Sequence, residues 1–262
     1  MLRLAAITAA IFVANFDVAS AADEWGDLSL RFVYDGQPPE PRKVPIDRDR
    51  AVCKEAQIDE SLVVSATDRG IASVVVWLTQ GKDGAEVPIH PAYEQSAKAE
   101  VSLTVKSCRY EPHVVLVRSS QVLVFKNLDP IAYNFSCQLA RNQSFNFIAA
   151  PSREAKVEFE GRESVPAPVA SAIHPWMNAW LFIHDNPYMA VSDASGTLKI
   201  LNVPTGKRTF RVWHERSGYV RQLTRSGEMI ELPREGLAVD VKAGANDLGE
   251  LLLKPEVFEP KK

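Results

Sequence analysis

The chain is poor in the residues that build metal clusters and covalent scaffolds, with three cysteines and five histidines in 262 residues. That supply furnishes at most one or two metal sites and one disulfide, which excludes a multi-zinc protein and a disulfide-dense scaffold. An excess of one charge sign is also missing. Thirty Lys and Arg stand against 33 Asp and Glu, a net charge of −3 with no polybasic run, which argues against nucleic acid and anionic membrane surfaces as partners. No apolar run reaches the roughly 20 residues that cross a bilayer, so no transmembrane segment is expected. Helical stripes of ten or more residues are absent too. Catalytic signatures are equally scarce: there is no G-x-S-x-G, P-loop, G-x-G-x-x-G or C-x-x-C. His214-Glu215 opens like a zinc-protease helix, but the residue four places after His214 is Gly218, so the second ligand is missing. The expectation is a protein that is not an enzyme.

What is present begins with an export signal. Arg3, the apolar run Leu4 to Val13 and the small residues Ala19-Ser20-Ala21 predict a secretory signal peptide over residues 1–21, cut after Ala21. The expected location is periplasmic or extracellular, an oxidising setting in which cysteines pair.

Along the rest of the chain the dominant period is two. Leu28, Leu30, Phe32 and Tyr34 alternate with Ser29, Arg31 and Val33, as do Val101, Leu103 and Val105, and Leu237, Val239 and Val241, with their neighbours. These are half-buried strands. Ile71 to Leu78, Val114 to Val117 and Val122 to Phe125 are Val-rich runs of strands buried on both faces. Seventeen prolines break up the connections, which favours short strands over βαβ units. The fold class is therefore all-β, built from Greek-key-like sandwiches. Whether the strand Leu28 to Tyr34 completes a first sandwich or crosses to a second stays open. In "AKVEFEG", the charges of Glu158 and Glu160 read as the solvated face of a strand.

In the C-terminal third, Asp193-Ala-Ser-Gly196 is a turn, Leu198 and Ile200 line one strand, and Phe210, Val212 and His214 line the next. The pattern D-x-x-G…L-x-V-P-x-G-x-x-x-F-x-V-W resembles carboxypeptidase regulatory-like and transthyretin-like modules. That resemblance implies a small structural or adhesive β-sandwich over residues 187–254, followed by a polar tail, 255–262.

Ser171-Ala-Ile-His174-Pro-Trp-Met177 has the spacing of the late loop of a blue-copper site, C-x-x-H-x-x-M with Pro after the His, but with Ser171 at the Cys position. Upstream, Asn127-Leu-Asp129-Pro-Ile-Ala-Tyr133-Asn134 resembles the segment that delivers the first His in cupredoxins of the amicyanin and plastocyanin group, with Tyr133 at the His position. The resemblance implies a cupredoxin-like sandwich, placed with an N-terminal β extension at residues 22–186. Its implied metal residues are His174 and Met177, in a degenerate site with Tyr133 and Ser171. A serine hydroxyl replaces neither the copper affinity nor the electron-transfer chemistry of a thiolate. Cys137, four residues beyond Tyr133, lies about 13 Å along the same strand. No cofactor is expected, with copper as the alternative. Tyr133 would fill the space of the imidazole and hydrogen-bond Ser171 or His174; Met177 could equally be plain core.

Further segments, "W-G-D-L", "D-E-S-L-V-V", "V-V-V-W-L" and "C-x-Y-x-P-H", resemble secreted cupredoxin-like proteins with cysteines at the places of Cys53 and Cys108. The resemblance thus implies a Cys53–Cys108 disulfide. His113 and His214 are expected in structural roles. The functional expectation is an exported, non-enzymatic binding or structural protein whose type 1 copper site is lost, with Trp176 and Trp180 near the contact surface for an unidentified protein or glycan partner. Two alternatives remain: a periplasmic electron carrier with an altered copper site, and a polysaccharide-associated module like those beside rhamnogalacturonan lyases.

Overall fold

The computed structural model describes residues 25–54, 56–79 and 86–259; the expected signal peptide lies outside them. In chain order the strands are β1 (Trp25–Tyr34), β2 (Lys43–Pro45), β3 (Ala56–Ile58), β4 (Val75–Leu78), β5 (Glu100–Lys106), β6 (Arg109–Glu111) and β7 (Val114–Arg118). There follow β8 (Val122–Asn127), β9 (Tyr133–Cys137), β10 (Phe145–Ala149), β11 (Glu154–Val157), β12 (Ala167–Ala170), β13 (Asn178–His184) and β14 (Met189–Val191). The last are β15 (Thr197–Pro204), β16 (Gly206–His214), β17 (Gly218–Tyr219), β18 (Gln222–Arg225), β19 (Glu228–Glu231), β20 (Leu237–Val241) and β21 (Gly244–Leu253). One helical turn, α1 (Arg50–Cys53), lies between β2 and β3. The chain is all-β, as its period-two patterning predicts.

The first sandwich stacks the sheet β11-β8-β5-β6 on the sheet β10-β9-β12-β13-β7. Its core holds Leu103, Val105, Leu123, Phe125, Phe135, Val169 and Leu181, drawn from alternate positions of facing strands. The second sandwich stacks β15-β1-β21-β18-β19 on β14-β4-β16-β17, with β20 along β16. Here Leu28, Leu30, Phe32 and Tyr34 all point into the core, as their alternation requires. The Asp193–Gly196 turn forms as read: the Asp193 carboxylate accepts the N–H groups of Ser195 and Thr197. Gly196 has φ +80°, and a Cβ there would meet the carbonyl oxygen of Phe32 at 2.1 Å.

The strand Leu28 to Tyr34 crosses to the second sandwich. β1 lies between β15 (antiparallel) and β21 (parallel), and β4 lies between β14 and β16. The N-terminal extension therefore does not belong as a whole to the first sandwich: residues 25–34 and 75–78 pair with strands beyond residue 187. The physical reason is the ladder, since β1 gains hydrogen-bonded neighbours on both edges there. Segment 43–58 returns to the first sandwich, where Ile46 and Cys53 join the core.

A third apolar cluster joins the sandwiches. Val75 and Trp77 of β4 and Trp213 of β16 meet Val114 of β7 and Phe182 of β13. Trp180 stacks edge-on against Trp213 with ring centroids 4.8 Å apart. This explains the Val-rich runs at β4 and β7, which are covered on both faces. Trp180, expected near a contact surface, is half-buried and packs one side of its ring against Trp213. The C-terminal tail departs from expectation as well: Pro255–Phe258 is a 3-10 turn, and Phe258 is buried against Tyr34 and His214. In "AKVEFEG" the strand ends at Val157, and Glu158 and Glu160 lie beyond it.

Candidate functional site

The cluster begins at the end of β8. Asn127 holds the turn to β9: its Oδ1 accepts the N–H of Asp129 (3.0 Å), and its Nδ2 donates to the carbonyls of Ile131 (2.7 Å) and Ala149 (3.0 Å). Asp129 is thereby aimed at the two-residue hairpin between β5 and β6. Both hairpin residues, Ser107 and Cys108, have positive φ, as a type I′ turn requires, and their N–H groups converge on the Asp129 carboxylate at 2.9 Å each.

Tyr133 stands at the start of β9 and is fully buried. Its hydroxyl donates to Asp129 Oδ2 at 2.7 Å and lies 2.9 Å from Cys108 Sγ. Burial, followed by the hydrogen bond and charge of Asp129, drives its pKa well above the ordinary phenol value. The expected partner, Ser171 or His174, is replaced by Asp129, because a buried carboxylate is a stronger acceptor than a neutral hydroxyl or imidazole.

The loop between β12 and β13 carries the other three residues and closes on itself. Ser171 Oγ accepts the N–H of His174 (3.0 Å), the Met177 N–H donates to the His174 carbonyl (2.9 Å), and the Ser171 N–H donates to the Met177 carbonyl (3.3 Å). Asn134 Oδ1 ties this loop to β9 by accepting the N–H of Ala172 (2.9 Å). The His174 ring is 0% exposed, with its centroid 4.9 Å from that of Tyr133 and 5.1 Å from that of Trp176. Met177 is buried in the core of the first sandwich. All four residues singled out by their spacing are thus brought together.

A cap that the sequence did not reveal closes the cluster. Asp49, just before α1, places Oδ2 2.8 Å from His174 Nε2. Four residues further on, Cys53 is bonded to Cys108, as the resemblance implied. Both cysteines are buried. The indole of Trp176 donates to the Cys108 carbonyl at 3.3 Å, so the same turn meets Asp129, Tyr133, Trp176 and the disulfide. His174 Nδ1 is buried and has no hydrogen-bond partner among the described residues.

As a copper centre this donor set does not fit. It offers one imidazole and one thioether; the phenol is held protonated and the serine hydroxyl is neutral. Among the described residues no group of three or more His, Cys, Asp or Glu is placed to hold a metal ion. Cys137 is buried on β9, its thiol pushed up to about 12 by burial and then by the charge of Glu163.

The other histidines are structural. His113 Nε2 lies 2.7 Å from Glu215 Oε2, linking the first sandwich to the second. Burial opposes its charge, but the hydrogen bond and charge of Glu215, with Glu60 behind, outweigh it and raise its pKa. His214 and His184 are held down to about 4, chiefly by burial. His90 Nδ1 accepts the N–H of Ala92.

No protein-family model matches the chain, and none of the curated proteins is significantly similar to it. Solved structures similar to the chain include amicyanins, a purple cupredoxin and a copper-containing nitrite reductase. A copper-containing nitrite reductase from Thermus scotoductus SA-01 is 14% identical over 32% of this chain and 22% of its own, with a TM-score of 0.28. Amicyanin from Paracoccus versutus is 13% identical over 42% of this chain and 97% of its own, with a TM-score of 0.29. A purple cupredoxin from Nitrosopumilus maritimus is 14% identical over 33% and 99%, with a TM-score of 0.27. This chain therefore spans under a quarter of the nitrite reductase. Among the described residues no helix is long and apolar enough to cross a membrane.

Proposed function

We propose that the chain is an exported, non-enzymatic, cupredoxin-like binding or structural protein in which a hydrogen-bonded polar cluster stands where a type 1 copper site would be. The observation that carries this reading is the convergence of Tyr133, Ser171, His174 and Met177, four positions chosen by ligand spacing, around partners that satisfy hydrogen bonds. Ser171 Oγ bonds the backbone of His174 rather than a ring nitrogen, so it is not poised as a nucleophile. Export is supported by residues 1–21 and by the disulfide, which persists in oxidising compartments. The second sandwich reads as a carboxypeptidase regulatory-like or transthyretin-like module, supported by the D-x-x-G turn at Asp193–Gly196.

The unpartnered, buried Nδ1 of His174 favours one other reading, a periplasmic electron carrier with an altered copper site. Isothermal titration calorimetry of the full chain with Cu(II) separates the two. The metal-free reading expects no saturable binding at micromolar copper; stoichiometric binding that is lost in His174→Gln would overturn it.

A further inference from the structure

Where the sandwiches meet, a cleft of about 320 Å³ is lined by residues of both. Its apolar wall is Trp77, Met189 and Phe182; its polar wall is Arg141, Arg162 and Arg211. The volume falls at the lower end of the roughly 300–1,000 Å³ of small-ligand pockets, and the mixture of aromatic wall and a few convergent charges is their usual composition.

The charges are not spent on each other. Glu163 also lines the cleft, but its carboxylate accepts the backbone N–H groups of Ala140, Arg141 and Asn142 and the side chain of Asn142. Asp185 pairs loosely with Arg162 at 3.8 Å. Arg211 and Arg141 have no ion-pair partner among the described residues, and the Nε of Arg211 is buried without a hydrogen bond. The Arg211 guanidinium is held over the Tyr219 ring, 5.3 Å from its centroid, which fixes its place without neutralising it. Three guanidiniums and the Glu163 carboxylate line the cleft, and Asp185, which pairs with Arg162 without lining the cleft itself, leaves one net positive charge. His184, in the same wall, adds none near neutral pH: burial first, then the charges of Arg162 and Arg211, hold its pKa at about 4.

We propose that this cleft binds a small organic monocarboxylate with an aromatic or other flat apolar body, the carboxylate received by Arg211 and Arg162 and the body laid on Trp77, Phe182 and Met189. Arginine suits the planar anion because its fork offers paired N–H donors, and the single net charge matches a monoanion. The site is separate from the Tyr133 cluster, and the proposal stands whether or not that cluster ever holds copper.

The test is isothermal titration calorimetry of the full chain with 2-naphthoate and with its uncharged counterpart 2-naphthamide. Saturable binding of the acid is expected, with the amide weaker by about tenfold or more, since a charge-assisted hydrogen bond is lost. Arg211→Gln should weaken the acid by about the same factor and leave the amide unchanged. Should that variant fail to fold by circular dichroism, Arg162→Gln reads the same effect from the other sandwich. No saturable binding of the acid at millimolar concentration, equal affinity for acid and amide, or unchanged acid binding in a folded arginine variant would each overturn the proposal.

Discussion

Asp49 and His174, 125 residues apart in sequence, meet at 2.8 Å through Oδ2 and Nε2. The imidazole is fully buried while the side chain of Asp49 is 42% exposed, so this pair is the lid of the cluster as well as a hydrogen bond. One ring nitrogen is thereby engaged and the other is left facing the interior without a partner.

Truncating the two partners should have unequal effects. His174→Ala removes a buried ring from between Tyr133 and Trp176 and should cost about 2–4 kcal/mol in urea unfolding. Asp49→Ala loses a partner that solvent already screens and should cost on the order of 1 kcal/mol or less. Equal losses would show that the lid, not the packing of the ring, holds the loop.

On the proposed reading, supplying the two absent ligand types should create a copper centre. The double variant Tyr133→His with Ser171→Cys supplies the missing imidazole and thiolate beside His174 and Met177, and blue colour is expected on addition of Cu(II). A folded double variant that stays colourless would mean that the alignment with the copper ligands is misplaced.

The disulfide fastens the segment that carries Asp49. Replacing Cys53 and Cys108 by Ala should cost about 4 kcal/mol in the loop-entropy account for a 55-residue separation, and should speed hydrogen exchange over residues 49–53. Thiol titration offers an independent check. The native chain should show no reactive thiol, because Cys137 is buried with its pKa pushed up to about 12; the denatured, unreduced chain should show one, and three would refute the bond.

Acid should loosen both sandwiches, through His214 on β16 of the second and His184 on β13 of the first, which also lines the cleft. Both are buried neutral, with pKa values lowered from 6.5 to about 4, so the unfolded chain binds more protons between those values. Stability is therefore full above about pH 6.5 and falls as pH drops towards 4, by about 3 kcal/mol for each histidine. Urea melts at pH 7 and pH 4.5 should differ accordingly, and His214→Asn should remove about half of the difference; an unchanged difference would contradict the buried neutral state.

His113 works in the opposite direction. Its pKa is raised, so the pairing with Glu215 contributes most below pH 6.5 and is lost as pH rises through the raised value. A double-mutant cycle with His113→Gln and Glu215→Gln should give a larger coupling at pH 5.5 than at pH 9. A coupling that does not change with pH would mean that the contact is a neutral hydrogen bond.

How much of this was legible depended on distance along the chain. The inward faces of β1, β5 and β20 could be read because alternation is a property of adjacent residues, and the four cluster positions because two short segments carry their spacing. Asp129 lay inside the quoted motif, yet its bonds to Ser107 and Cys108 depend on a hairpin more than twenty residues away. Asp49 gave no signal at all: it is one charge in the polar run Asp47-Arg-Asp-Arg50. The contact of the half-buried Trp180 with Trp213 was not legible, because nothing near Trp180 in sequence announces a residue 33 positions away.

The sequence by itself determined an all-β chain, the turn at Asp193–Gly196, and the local spacing of Ser171, His174 and Met177, since each is fixed by neighbours within a few residues. Only the tertiary structure decided that β1 and β4 belong with the C-terminal strands, that Asp49 closes over His174, and that Arg141, Arg162 and Arg211 face one cleft. Those outcomes rest on strand pairing and sheet stacking between distant segments, where many partners satisfy the same local pattern and the packed whole selects one.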